Sequence, residues 1–246
     1  MGYPFREVPT GVGVRVLRMA EALGWGALAA SSLVLGAVLG LVHRWQDRHV
    51  GMVLAFGAGA LISAVSFELV QEGVHAGGGA SVGIGLAAGA FVYYFADKAI
   101  NRRVGSTAGT SLALGAFLDG LPEQAVLGIS LAGGEGVSVG LLAAIFVSNL
   151  PEAIGAASEM KGSAGRILGI WIAVAIVCTL ASVGGYVVAD VTGGHFLAGI
   201  NGFAAGALLV MLVDTMIPEA TRKFGGRAGL VTTLGFAVAA ALSGIS

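Results

Sequence analysis

The sequence is short of charge. Only 11% of its 246 residues are Asp, Glu, Lys or Arg, whereas an ordinary soluble domain carries about 25%. So few polar groups cannot cover a soluble globule, and disorder requires the opposite composition. The 13 basic and 14 acidic residues leave a net charge of −1. That excludes a nucleic-acid binder, which needs a basic surface. Cysteine is almost missing. Cys178 stands alone in an apolar run, so there is no internal disulfide and no Cys/His metal cluster, and it reads as a small core residue. No His-Glu-x-x-His spacing occurs among the four histidines, which excludes the usual helix of a metalloprotease. None of these histidines falls well inside an apolar run, so a serine hydrolase would lack its base. The chain therefore does not read as an enzyme. Aromatic residues make up 7%, too few for a wide aromatic-lined cavity. Tyr93, Tyr94 and Trp45 read as packing or interface anchors.

What remains is apolar and small. Hydrophobic residues make up 56% and there are 42 glycines, a composition suited to membrane helices that approach one another closely. A crossing helix needs about 20 apolar residues. Eight runs qualify: 22–42, 52–75, 80–97, 107–131, 136–158, 167–190, 197–221 and 228–245. The separators are too short for a second domain, so residues 1–246 form one transmembrane unit. Residues 1–21 form an extramembrane N-terminal segment. It has arginines but no apolar core of a cleaved signal. Ten of the basic residues lie in the loops after runs 1, 3, 5 and 7: Arg44, Arg48, Lys98, Arg102, Arg103, Lys161, Arg166, Arg222, Lys223 and Arg227. The positive-inside bias places that side in the cytoplasm and both termini outside. The expectation is a multi-pass protein of the cell (inner) membrane.

The charges inside the runs are all acidic: Glu68, Glu72, Asp97, Asp119, Glu123, Glu152, Asp190, Asp214 and Glu219. A carboxylate at mid-membrane costs about 2.5–3.5 kcal/mol on insertion scales. With no basic partner in the helices, its counter-charge must come from elsewhere, as a proton or a bound metal cation. Protonated carboxylates hydrogen-bonded between helices are the structural alternative. Asp97 and Asp190, at run ends, read as interfacial.

Two adjacent runs share one pattern. Run 4 reads Phe117-Leu118-Asp119-Gly120-Leu121-Pro122-Glu123, and run 5 reads Phe146-Val147-Ser148-Asn149-Leu150-Pro151-Glu152. Each proline frees the carbonyl four residues back and is expected to kink its helix, which a bilayer tolerates only in a buried or polar place. Asp119 and Glu123 share a face of one helix, Asn149 and Glu152 a face of the other. Packed together, Asp119, Glu123, Asn149 and Glu152 would offer oxygen ligands to a hard divalent cation. A second repeat flanks this pair. Phe56-Gly57-Ala58-Gly59-Ala60-Leu61, followed by Glu72, matches Phe203-Ala204-Ala205-Gly206-Ala207-Leu208, followed by Glu219. Runs 2 and 7 cross in opposite senses, so runs 1–3 and 6–8 read as inverted repeats around a central pair. Glu68, Glu72, Asp214 and Glu219 are candidate pathway residues, with Glu72 toward the outside and Glu219 toward the cytoplasm. Both are equally open to an interfacial reading.

These residues resemble the ZIP (Zrt/Irt-like) family of divalent metal transporters. The resemblance implies an all-α polytopic fold of eight spans in a 3+2+3 inverted-repeat arrangement, with both termini outside. It implies a metal site between spans 4 and 5, transport toward the cytoplasm and homodimerisation. Leu121-Pro122-Glu123 and Leu150-Pro151-Glu152 match the family's Pro-Glu elements, so Glu123 and Glu152 carry over as metal ligands. The span 4 signature of the family, His-Asn-x-Pro-Glu-Gly, is altered here: Asp119, Gly120 and Gln124 replace its His, its Asn and its final Gly. Asn149 stands where many members have Asp. Gly120 offers no ligand, so one metal is expected and not two. Imidazole suits zinc, whereas carboxylate and amide suit Mn, Mg or Ca, with Fe(II) between them, and zinc still accepts oxygen. The expected cargo is a divalent cation among Zn, Mn, Fe(II), Cd and Co. Its binding weakens as pH falls, because protons compete for the carboxylates. The expected partners are metal cations and the lipid bilayer. A carrier of protons or another cation, and a metal sensor on the same frame, remain alternatives.

Overall fold

The computed structural model describes residues 12–103, 108–132 and 138–243. Arg6, Gly105, Gly133 and Gly134 lie outside the described residues. Among those described, the chain forms helices α1 (Val12–Val42), α2 (Asp47–Gly77), α3 (Gly79–Arg103), α4 (Ala108–Ala132), α5 (Val139–Glu159), α6 (Ala164–Asp190), α7 (Gly194–Phe224) and α8 (Ala228–Ser243), and no strand. Six of them, α1, α2, α3, α5, α6 and α7, are long and apolar enough to cross a membrane. The fold is that of an all-helical, multi-pass membrane protein. The other two are α4, which carries Asp119 and Glu123, and α8, whose 16 residues span about 24 Å at the α-helical rise. Helix α1 begins well before run 1, so residues 12–21 of the N-terminal segment are helical. Arg15 Nε there lies 3.2 Å from Asp190 Oδ2 at the end of α6.

Small residues set how the helices pack. Helix α3 lies against α7, α8 against α2, α4 against α6, and α1 against α5 and α6, while α2 bridges to α5 and α7. One apolar cluster joins α1, α5 and α6 around Leu33, Ala153, Trp171 and Cys178. Cys178 is a buried free thiol, as its sequence context suggests. A larger cluster centres on Leu54, Leu61, Leu127, Ile145, Leu208 and Met211. The tightest contacts are backbone against backbone. A Cβ at Gly59 would stand 1.8 Å from the Thr232 carbonyl oxygen, and one at Gly206 2.0 Å from that of Leu86. Likewise, a Cβ at Gly89 would stand 1.9 Å from the Phe203 oxygen, and one at Gly235 2.0 Å from that of Phe56. No residue but glycine allows such an approach.

The backbone departs from α geometry away from Pro122 and Pro151, and on α7 just before Pro218. Pro122 and Pro151 sit inside continuous helices. The wide, π-type turns fall instead on α2 at Val65–Gln71 and on α7 at Leu212–Met216. The Pro-Glu pattern predicts irregular backbone on α4 and α5, whereas these segments carry Glu68 and Asp214. Such π segments frequently mark functional positions.

Candidate functional site

Helices α4 and α5 bury their polar residues. Asp119 is 4% exposed, Glu123 1%, and Gln124, Ser148 and Asn149 are fully buried. Each buried carboxylate has a different partner. Tyr93 on α3 donates its phenolic hydrogen to Asp119 Oδ1. Ser148 Oγ lies 3.2 and 3.3 Å from the two oxygens of Glu123, and 2.9 Å from the Ile145 carbonyl. Its single hydrogen is shared among these acceptors. The Asn149 amide lies beside Glu123 but makes no hydrogen bond of full geometry. Both Glu152 oxygens are buried without a hydrogen-bond partner, as are the amide atoms of Gln124. The missing side chain at Gly120 points at α6, where a Cβ would meet Cys178 Sγ at 3.0 Å. A side chain at position 120 would press on that sulfur.

A cavity of about 400 Å³ is lined by Asp119 and Glu152 together with Glu159, Asp214, Glu219, Arg222 and Lys223. Of its lining residues, Glu159 and Asp214 are exposed. The two parts of the sequence pattern thus meet: Asp119 and Glu152 from the central pair share one cavity with Asp214 and Glu219 from α7. Glu123 and Asn149 lie behind it and do not line it. Among the described residues, no three side chains of His, Cys, Asp or Glu are gathered so as to hold a metal ion. Asp119 is turned to Tyr93 and Glu123 to Ser148, so the carboxylates are neighbours with separate partners.

The other candidates lie apart. Glu68, 8% exposed, accepts a 2.5 Å hydrogen bond from Ser138 Oγ just before α5. Glu72 is exposed toward the end of α2. The histidines lie in loops or at helix ends. His195 Nδ1 is 2.6 Å from the Gly77 carbonyl and ties the α6–α7 connection to the end of α2. Glu219 is not a free carboxylate: Arg222 Nη2 lies 2.5 Å from Oε2 and Lys223 Nζ 3.3 Å from Oε1.

Two participants escape the sequence pattern. Tyr93 reads as an anchor from sequence, yet it is 7% exposed and bonded to Asp119. Lys223 reads as a loop residue, yet it lies in the last turn of α7 with its side chain only 8% exposed. Tyr93 has no local signal, because it meets Asp119 across helices. Lys223 has the i,i+4 spacing to Glu219 on its own helix, but its contact with Asp47 on α2 is not legible locally. No protein-family model and no curated protein matches this sequence.

Proposed function

We propose that this protein is a divalent metal cation carrier of the ZIP type, moving its cargo toward the cytoplasm through the α4–α5 carboxylates. The observation that carries the reading is Glu152. Its two carboxylate oxygens are buried and unpartnered on a cavity shared with Asp119. An ionised carboxylate is not left so without a counter-charge, and a cation entering this cavity supplies one. Asp119, Glu123, Asn149 and Glu152 are the proposed oxygen ligands, and Glu68, Glu72, Asp214 and Glu219 the proposed route. The cargo is one of Zn, Mn, Fe(II), Cd and Co, the oxygen-rich set favouring the harder ions.

The frame we infer is eight spans in a 3+2+3 inverted arrangement, both termini outside, in the cell membrane. Its support is pairwise. The contact of Gly59 with Thr232 and Phe236 is repeated by Gly206 with Leu86 and Ala90. That of Gly89 with Phe203 is repeated by Gly235 with Phe56. The π turns at Val65–Gln71 and Leu212–Met216 start at matching places in the two repeats. Exchanging α2 with α7 and α3 with α8 leaves this pattern unchanged.

The test is metal uptake into proteoliposomes by the native chain and by Glu152→Gln, with all five metals compared. The expected outcome is uptake that the substitution reduces about 100-fold or more, since the site loses a charged ligand. Native-rate uptake by the variant overturns the site. A second reading, a proton carrier, is favoured by the lack of three gathered ligands among the described residues. Proton movement by the native chain with no metal uptake would select it.

A further inference from the structure

A cation route should not be lined by fixed cations, yet Arg222 and Lys223 both line this cavity, and of the two Lys223 is the buried one. Lys223 lines it together with Asp119 and Glu152. Its side chain is 8% exposed, against 68% for neighbouring Arg222. The long side chain is accommodated by two glycines on other helices. A Cβ at Gly51 of α2 would stand 2.6 Å from Lys223 Cβ, and one at Gly155 of α5 would stand 3.5 Å from Nζ. Gly155 is one helical turn beyond Glu152, so the ammonium lies over the strip of α5 that leads away from that carboxylate. There it is held from two helices: Nζ is 3.3 Å from Glu219 Oε1 on α7 and 3.4 Å from Asp47 Oδ1 on α2.

A lysine is costly to bury, and a compact ammonium on a flexible stem moves more readily than a guanidinium fork. Arg222 already pairs with Glu219, so neutralising that carboxylate does not by itself require Lys223 to turn inward. We propose that Lys223 is the gate of this route: a tethered cation that sits on Glu219 and Asp47 while the route is empty, and that a passing divalent ion must displace. The inference rests on the cation-carrier reading above. Two positive charges repel across a low-dielectric cavity, so the ammonium slows exchange between the buried carboxylates and the exposed residues of the same lining. A purely structural ion pair joining α2 to α7 would instead affect stability and leave transport rates alone.

The experiment compares initial uptake of Mn²⁺ and Zn²⁺ by the full chain in proteoliposomes for the native protein, Lys223→Gln, Lys223→Arg and Asp47→Asn. The expected result is a rate about threefold or more above native for Lys223→Gln, as the repulsion is removed. Lys223→Arg, which keeps the charge, returns the rate toward native. Asp47→Asn, which loosens the ammonium on one side, falls between. An unchanged rate and half-saturation in folded Lys223→Gln overturns the gate and leaves the carrier standing. If Lys223→Gln does not fold, an unchanged rate in Asp47→Asn overturns it in the same way. No uptake by the native chain overturns the carrier reading and the gate together.

Discussion

At the scale of single residues, the competition between protein donors and a cation decides what the site does. Asp119 accepts a hydrogen bond from Tyr93 across the α3–α4 gap. A cation that takes Asp119 as a ligand must compete with that donor. Removing the hydroxyl in Tyr93→Phe leaves the empty site with a less satisfied buried carboxylate, at a cost of about 1–3 kcal/mol. The loaded site loses less. The expected outcome is a lower melting temperature without metal and a larger upward shift on adding Mn²⁺, both read by thermal unfolding in detergent. A smaller shift would mean that the phenol itself helps to hold the cation. Carboxylates such as Asp119 and Glu152 were legible in the sequence because charge inside an apolar run is expensive and conspicuous. Tyr93 and Lys223 were not. A tyrosine is equally at home in packing or at an interface, and a lysine beside an arginine near a helix end reads as a solvated loop. Tyr93 is revealed only by its cross-helix partner Asp119. For Lys223 the i,i+4 spacing to Glu219 is in the sequence, but its burial and its contact with Asp47 on α2 are not.

At the scale of helices, glycine placement fixes the packing. The approach of Gly206 to the Leu86 carbonyl leaves no space for a methyl group, because a Cβ would lie 2.0 Å from that oxygen. Gly206→Ala must therefore push α7 off α3, at a cost of about 1–3 kcal/mol from overpacking, even though alanine is the better helix former. Gly229→Ala on α8 is the control, since nothing lies within 4 Å of a Cβ there. The expected outcome is a lower melting temperature for Gly206→Ala and an unchanged or higher one for Gly229→Ala. Equal behaviour of the two would show that α3 and α7 are not packed this closely. The Phe-x-x-Gly-Ala-Leu repeat on α2 and α7 was visible in the sequence. Its meaning was not, because the partner strips on α8 and α3 share little obvious motif. The π turn on α2 was equally hidden, since Val65–Gln71 contains no proline or glycine. That on α7 has a signal just beyond it: Pro218 has no N–H for the Asp214 carbonyl.

At the scale of the whole molecule, the number of helices that cross the membrane sets the sidedness of the loops. Among the described residues six are long and apolar enough, and eight are inferred. The two counts differ in the sidedness of everything after α4. If α4 crosses, the loop between α5 and α6 lies on the opposite side from the end of α2. If α4 does not cross, the two lie on the same side. Ala76 and Lys161 occupy these places, and both are exposed. The native thiol, Cys178, is buried and fully enclosed, so labelling by an impermeant maleimide reads an introduced cysteine against a low background. With eight spans, Ala76→Cys is labelled in intact cells and Lys161→Cys only after permeabilisation. Labelling of both in intact cells would remove α4 as a span. The first outcome also agrees with the charge distribution, because Lys161 and Arg166 then join Arg44, Lys98 and Arg227 on the cytoplasmic side. It carries a consequence for the site. Asp119 and Glu123 lie near the middle of α4, so a crossing α4 holds them at membrane depth, where a carboxylate is most expensive and where only a cation, whether cargo or proton, can meet its charge.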